Sequence, residues 1–513
     1  MRLTQGFQQS ADHKPTRFAT VFENRRRTYA EVIDRVARLA SGLVATGANT
    51  GDRIAILALN SDAYYEAYYA ILWAGCLAVP CNTRWTAAEH SAALADCEPR
   101  LLLIDQHFAP MINELTPDMR ERAILIGGAG GARNAEELIA NSNPMADNSG
   151  ADDAPAAIFY TGGTTGASKG VVLSNDNLIV NFLASCAREP YERDCVYLHV
   201  APMFHLADAT MVFGLTLLGG THVILSRFDP AAVIETIKKC RVNTLILVPT
   251  MIGMLDQYLR EHPEPLDQVR RLTYGASPIS ETLMLRTLEM FPNARISQAY
   301  GQTELSPVAT LLTHEYHVAS GPISKLRSAG RAIPGVELRI ADPELRTLAA
   351  GEVGEILVRG PNVMQSYWRK PELTAATIVD GWVRTGDAGY IDTEGFLFLV
   401  DRVKDMIVSG GENVYSAEVE NALAQHPSVL ECAVIGVPDA RWGERVHAVL
   451  CFRPGLSATQ EELTAHCTKL IAGYKRPRSF DFRTEPLPLS GAGKILKSEL
   501  RKAFWGGAGR AVN

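Results

Sequence analysis

Three glycines and three threonines stand between residues 161 and 166, within the run Tyr-Thr-Gly-Gly-Thr-Thr-Gly-Ala-Ser-Lys-Gly that covers 160–170. Such a stretch is poor helix and poor strand, but a good phosphate cradle. Glycine lets backbone N–H groups approach an anion closely, the threonine hydroxyls add donors, and Lys169 adds a positive charge. The apolar run before it, 156–160, reads as a buried strand, so the loop leaves a strand end, where α/β proteins hold nucleotides. It is not a Walker A loop. Counting from Gly163, Ser168 occupies the second glycine position and Gly170 the place of the final Ser or Thr. A flexible glycine–threonine surface loop is the plainer reading of the same composition.

Other residue types of chemical interest follow in order. His205, in Ala201-Pro-Met-Phe-His, reads by itself as a core or turn histidine as readily as a ligand. Glu304, in Tyr300-Gly-Gln-Thr-Glu, places a carboxylate beside a threonine at a strand end. That suits Mg2+ on a polyphosphate, because Mg2+ takes few protein carboxylates and fills its shell with phosphate and water; a solvated loop is the alternative. Asp387, in Arg384-Thr-Gly-Asp, could accept both hydroxyls of a ribose or simply pair with Arg402. Lys494 lies in Pro-Leu-Ser-Gly-Ala-Gly-Lys. On a mobile arm its ammonium could reach a reacting α-phosphate as charge builds up, although most lysines are solvated surface charges.

These residues need elements to hold them. At 513 residues the chain is too long for one core, and 47% hydrophobic with 21% charged residues is an ordinary globular composition. A net charge of −7 argues against nucleic-acid and anionic-membrane partners. The nine cysteines are scattered without a C-x-x-C, as reduced cytoplasmic thiols would be. The first residues lack an apolar h-region, so no secretory signal is expected, and the longest apolar run, 67–81, is a core helix rather than a membrane span.

Thr28 and Glu31 form a capping box opening an amphipathic helix that stops at Gly47. Strands at 17–23, 53–59, 77–79, 101–105 and 123–126 alternate with helices, and 127–155 is a loose connection. After the cradle the alternation resumes: strands at 195–200, 222–225, 244–248 and 272–274, with helices at 209–218, 231–240 and 279–290. Two doubly wound lobes are expected. From about 328 to 390 short strands with Gly and Pro turns suggest a small barrel. A composition break at 401–405 leads into a small α+β domain, with a helix at 416–426, strands at 431–436 and 447–452, and a capping box at Thr459 and Glu462. The fold class is α/β: a large N-terminal domain of two doubly wound lobes plus a small barrel, then a mobile α+β C-terminal domain.

Taken in order, these motifs resemble the adenylate-forming superfamily (acyl-CoA synthetases, luciferases, peptide-synthetase adenylation domains) over about 28–504. Gly162 stands where that family commonly carries Ser, which removes a hydroxyl but no backbone donor. The resemblance implies an adenylation domain over 1–402, a hinge at 403–404 centred on Lys404, and a lid domain over 405–513. It implies ATP and Mg2+ bound through Thr161, Gly162, Gly163, Thr164, Thr165, Gly166 and Lys169. Gly275, Ala276 and Ser277 would pack on adenine with Tyr300 and Gly301, Thr303 would lie near the α-phosphate, Glu304 would hold the metal, and Asp387 and Arg402 would take the ribose. Lys494 is then the adenylating lysine, acting with His205, Glu304 and Thr161. The implied activity is an acid–thiol ligase, forming an acyl-adenylate and then a thioester with coenzyme A; loading a carrier-protein phosphopantetheine is the alternative. Arg84, Trp442, Tyr474 and Arg476 resemble the CoA nucleotide contacts of aryl-CoA ligases, while Gly410 and Gly411 would leave room for the pantetheine arm. Ala184, His205, Ala207, Asp208, Ala299, Gly301 and Leu305 would line the acid pocket, which leaves fatty and aryl acids both open. The expected partners are these small molecules in a cytoplasmic enzyme, with no nucleic acid and no membrane span; a homodimer is left open.

Overall fold

The apolar runs become two sheets with parallel centres. One sheet has nine strands, and its members from Phe18–Phe22 through Thr221–Ile224, Val196–His199, Thr244–Leu247 and Arg271–Gly275 to Arg295–Gly301 run parallel. The other has seven, with Pro155–Thr161, Leu77–Pro80, Arg53–Leu57, Leu101–Asp105 and Ala123–Ile126 parallel. The computed structural model describes the chain except residues 129–132, 162–167, 193, 278, 319–322, 403–404, 411, 490–494 and 506–513. The loose connection expected before the cradle contains a helix, Ala135–Asn141, capped by Asn134.

Both expected capping boxes are present, Thr28 with Glu31 and Thr459 with Glu462. The run 67–81, expected as one core helix, is helical only to Trp73; Gly75, at φ +77°, turns the chain into the strand Leu77–Pro80. Every residue of the helix Asp62–Trp73 is buried, and its tyrosines bridge the two lobes. Tyr65 hydroxyl bonds Thr216 Oγ1 at 2.6 Å and Tyr68 hydroxyl donates to Met203 O at 2.7 Å. Asp62 and Glu66 on the same helix are matched by Arg25, Arg27 and Arg35, which burial of two carboxylates requires. No helix among the described residues is long and apolar enough to cross a membrane.

Two compact units emerge: Met1–Glu337 with Val358–Val383, and Leu338–Leu357 with Arg384–Asn513. The strands expected as a small barrel form a five-stranded sheet ordered Glu337–Ala341, Gly354–Arg359, Trp382–Ile391, Ile378–Val379, with Leu397–Arg402 added to Trp382–Ile391. In the second unit, Val429–Asp439 and Gly443–Phe452 form a long antiparallel pair that Ser479–Arg483 extends in parallel. The helix Ser416–Ala424 packs its buried Val419, Ala422 and Leu423 into that unit's core.

Candidate active site

The cradle hangs from a β-hairpin. Strand Pro155–Thr161 runs antiparallel to Lys169–Ser174 with Thr161 opposite Lys169. Gly162, Gly163, Thr164, Thr165 and Gly166 lie outside the described residues; the feet of the loop do not. Tyr160 hydroxyl donates to Asp96 Oδ2 at 2.5 Å, and Trp368 Nε1 donates to Asp96 O at 3.1 Å. Burial, then the neighbouring Cys97 and Asp96, push the Tyr160 phenol up, so it stays a protonated donor. A Cβ on Gly170 would stand 2.7 Å from Ile158 Cγ2, so only glycine lets the strands close here.

On its other edge, Lys169–Ser174 pairs with the two-residue strand Ser366–Tyr367. Tyr367 hydroxyl donates to Glu304 Oε1 at 2.8 Å, and Lys169 Nζ lies 5.3 Å from the Tyr367 ring centroid. Glu304 is buried. Burial and the Glu304 carboxylate push the Tyr367 phenol up and hold its proton. The structure thus gathers Lys169, Tyr367 and Glu304 at the foot of the glycine–threonine loop. Tyr367 carries no local signal: a two-residue strand has no periodicity, and only its pairing with the cradle strand reveals it.

Glu304 sits in the turn Thr303–Leu305, after strand Arg295–Gly301 and before the antiparallel Val308–Leu312. Ser306 closes the turn at φ +67°. Alongside, Gly275 faces Ala299 across parallel strands, and a Cβ there would meet Ala299 O at 2.5 Å. Ala276 follows at φ +68°. The expected adenine segment 275–277 and the 299–301 strand end therefore lie side by side, with Tyr300 buried.

His205 is the N-cap of helix Leu206–Leu217, half-buried, its ring accepting from Ala207 N at 3.4 Å. The segment leading to it is held by Asn60, which donates to Ala201 O at 2.8 Å and accepts from Met203 N at 2.7 Å. Ala184, Ala207, Ala299 and Gly301 are half-buried, and Leu305 is fully buried. Asp208 corrects the expectation that it lines the acid pocket. It is 0% exposed and faces the core, accepting from Tyr197 hydroxyl at 2.8 Å and meeting His199 Nδ1 at 2.7 Å. His199 Nε2 continues to His222 Nδ1 at 2.8 Å and His222 Nε2 to Thr216 Oγ1 at 3.0 Å, a chain closed within the protein. Burial lowers His222 well below the ordinary histidine range, so its ring stays neutral.

In the second unit, Asp387 stands opposite Arg402 in register on neighbouring strands, its backbone N–H donating to Thr385 Oγ1 at 3.1 Å. Gly410, at φ +63°, leaves room for a neighbour already present: a Cβ would meet the Trp442 ring at 2.6 Å. The guanidiniums of Arg441 and Arg478 lie 4.7 and 4.6 Å from the Trp442 ring centroid. Tyr474 is exposed, and Arg476 donates to Thr468 Oγ1 at 2.7 Å. Arg84 is exposed in the first unit. Gly411, Lys404 and Lys494 lie outside the described residues.

Comparison with known proteins settles the family. A model of AMP-binding enzymes matches residues 7–368, and one of the AMP-binding enzyme C-terminal domain matches 418–494. The chain belongs to the AMP-binding enzyme family. It is 40% identical to a feruloyl-CoA synthase of Amycolatopsis sp over 478 residues, 93% of this chain and 94% of that one. It is 36% identical to the fatty acid–[acyl-carrier-protein] ligase ScoC of Streptomyces coeruleorubidus, over 98% and 96% of the two chains. Among solved structures, o-succinylbenzoate CoA synthetase (MenE) from Bacillus subtilis, in complex with its acyl-adenylate intermediate, superposes with TM-score 0.86. The two share 31% identity, and the match covers 96% of this chain and 97% of that one.

For an AMP-binding enzyme that uses ATP with magnesium, the donor set fits. Glu304 Oε1 is occupied by the Tyr367 hydroxyl, and among the described residues Oε2 has no hydrogen-bond partner. A buried carboxylate with one oxygen unspent matches a hard cation carried in on a polyphosphate. Besides Tyr367, the residues that sequence reasoning missed are Asp96 and Trp368, which brace the hairpin.

Proposed function

We propose that this enzyme activates an aromatic carboxylic acid of the phenylpropenoic type and delivers it to coenzyme A. The chain is an AMP-forming acid–thiol ligase. One observation carries the reading of its site: Lys169, Tyr367 and Glu304 converge where the glycine–threonine hairpin begins. The Lys169 charge and the loop N–H groups bind the polyphosphate, and Glu304 would hold Mg2+, which supplies charge neutralisation to it. Gly275, Ala276, Ser277 and Tyr300 bind adenine, and Asp387 and Arg402 the ribose.

In the first half-reaction a carboxylate oxygen of the substrate attacks the α-phosphorus in line. The bond to the bridging oxygen of the β-phosphate breaks, and pyrophosphate leaves. Lys494 stabilises the charge that develops, with Thr161 and Thr303 as donors nearby. In the second, the thiol gives up its proton, sulfur attacks the acyl carbonyl, and AMP departs with the carboxyl oxygen it gained. The functional boundary falls at 403–404, with the adenylating part over 1–402 and a lid over 405–513. Arg84, Gly411, Trp442, Tyr474 and Arg476 take the coenzyme, with Gly410 making room for the Trp442 ring; the Arg–Trp stack suits a phosphorylated nucleotide.

The small pocket residues Ala184, Ala207 and Ala299 leave width for a ring, and the 40% identity to a feruloyl-CoA synthase supports an aromatic acid. The nine cysteines are free thiols, which supports a cytoplasmic setting. The similarity to ScoC favours a second reading, transfer to a carrier-protein phosphopantetheine. The test is a panel of aryl, phenylpropenoic and fatty acids with ATP, Mg2+ and CoA, read by AMP release, and in parallel with a holo-carrier protein. AMP release with phenylpropenoic acids and an acyl-CoA peak on chromatography are expected. Turnover of fatty acids alone, or a carrier gel shift without acyl-CoA, would replace this reading.

A further inference from the structure

The turn bearing Glu304 has no sheet ladder of its own, yet it must hold a carboxylate in place. Its backbone is gripped by side-chain amides instead. Asn181 Nδ2 donates to Leu305 O at 3.1 Å and to Val308 O at 2.6 Å, while Asn181 Oδ1 accepts from Val308 N at 3.2 Å. Asn362 Nδ2 converges on the same two carbonyls, at 2.9 and 3.1 Å. Asn181 is 0% and Asn362 1% exposed, so these bonds have no water to replace them. Among the described residues Asn362 Oδ1 finds no partner, a cost borne with the amide turned to present its donors.

The origin of these amides matters as much as the bonds. Helix Asn175–Arg188 springs directly from the cradle strand Lys169–Ser174 through a capping box of Ser174 and Asn177. Asn177 and Asn181 are four residues apart and share a helix face. Asn177 Nδ2 donates to Pro361 O at 2.8 Å and Val363 O at 2.9 Å, just before the strand that carries Tyr367. Met364 N then donates to Glu304 O at 2.9 Å. One helix therefore ties the phosphate hairpin, the Glu304 turn and the Tyr367 segment into one rigid piece.

We infer that Asn181 and Asn362 are positioning residues for the metal–polyphosphate site: they set the Glu304 carboxylate in register with the cradle hairpin. This rests on the reading of Glu304 as the metal residue. Supporting partners of metal ligands are worth about 10- to 100-fold in metal affinity, and a backbone clamp on the ligand's own turn acts in the same way.

The test uses ATP itself, which is not consumed when no acid is present. Calorimetric titrations of ATP and of AMP are run across a Mg2+ series on the full-length enzyme and on Asn181→Leu, Asn362→Leu and Glu304→Gln. The Mg2+ concentration that half-saturates ATP binding should rise about 10- to 100-fold in each asparagine variant. AMP affinity should not change, because AMP lacks the phosphates that carry the metal. In a Glu304→Gln background, Asn181→Leu should add nothing further. An unchanged Mg2+ requirement, or equal losses for AMP and ATP, overturns the clamp. If either leucine variant fails to fold, Asn181→Ser and Asn362→Ser are read by the same criteria. A Glu304→Gln enzyme with the parent's Mg2+ dependence sinks the metal assignment itself, and the clamp with it. That outcome is told apart by the single variant alone.

Discussion

Lys494 and Lys497 are three residues apart in one basic stretch, and the structure shows what Lys497 does. Lys497 Nζ bonds Ser416 Oγ at 2.5 Å and Glu420 Oε1 at 2.7 Å, in a network that also joins Ser416 to Asp401. Burial opposes its charge, but Glu420 and Asp401 outweigh burial and hold the pKa above the ordinary lysine range. Lys497 is thus fixed as a permanently charged anchor at the start of the helix Lys497–Trp505. An ammonium meant to meet a phosphate cannot be spent in this way, which favours Lys494 for the adenylation step. Lys494→Ala is expected to slow acid-dependent pyrophosphate exchange by several kcal/mol of transition-state stabilisation, on the order of 10²–10³-fold. CoA transfer to a supplied acyl-adenylate should survive. Stopped-flow measurement of the two half-reactions checks this, and equal loss in both would remove the assignment.

At the scale of elements, the joint between Arg295–Gly301 and Val308–Leu312 is the most constrained. A Cβ at Gly301 would lie 1.9 Å from Pro307 O and 3.0 Å from Ala309 N, both backbone atoms that cannot rotate away. Gly301→Ala must therefore part the two strands or shift the turn that carries Glu304. Overpacking of this kind costs about 1–3 kcal/mol, and an ångström of misplacement at a reacting centre costs about 10²-fold in rate. Gly253→Ala is the contrasting substitution. It lies inside the helix Pro249–Glu261 with nothing nearer than 4.0 Å, and should raise stability by about 0.5–1 kcal/mol through helix propensity. Denaturant midpoints and AMP release on both variants give the comparison; a fully active Gly301→Ala would show that the joint tolerates rearrangement.

For the whole molecule, one enzyme has two unlike steps to perform, and the compact units divide at 337–338, 357–358 and 383–384 rather than at 403–404. The proposed solution is a lid that turns about 403–404 between the half-reactions. Proline fixes φ near −65° and removes an N–H, so Lys404→Pro stiffens the proposed hinge without touching a reacting group. Thioester formation should fall most, with adenylate formation largely kept. Single-turnover assays of each step decide it, and undiminished CoA transfer would argue against a turning lid.

Much of this protein was legible in its sequence because the relevant signals are local. The glycine–threonine run, the Thr28 and Thr459 capping boxes and the alternating apolar runs each declare themselves within a few residues. Their order along the chain was enough for the superfamily and the activity. The helix Ala87–Cys97 carries the same kind of capping box, Thr86 with Glu89, but its buried face is His90, Ala93, Leu94 and Cys97 and so shows little amphipathic pattern. Tertiary structure alone decided the rest. Asp208, on the helix Leu206–Leu217, faces the core because Tyr197 and His199 meet it from the strand Val196–His199, and Tyr367 meets Glu304 because two edges pair across nearly two hundred residues of chain. Sequence spacing reports what a residue's neighbours along the backbone will do; which buried hydrogen-bonding groups meet is set by long-range packing.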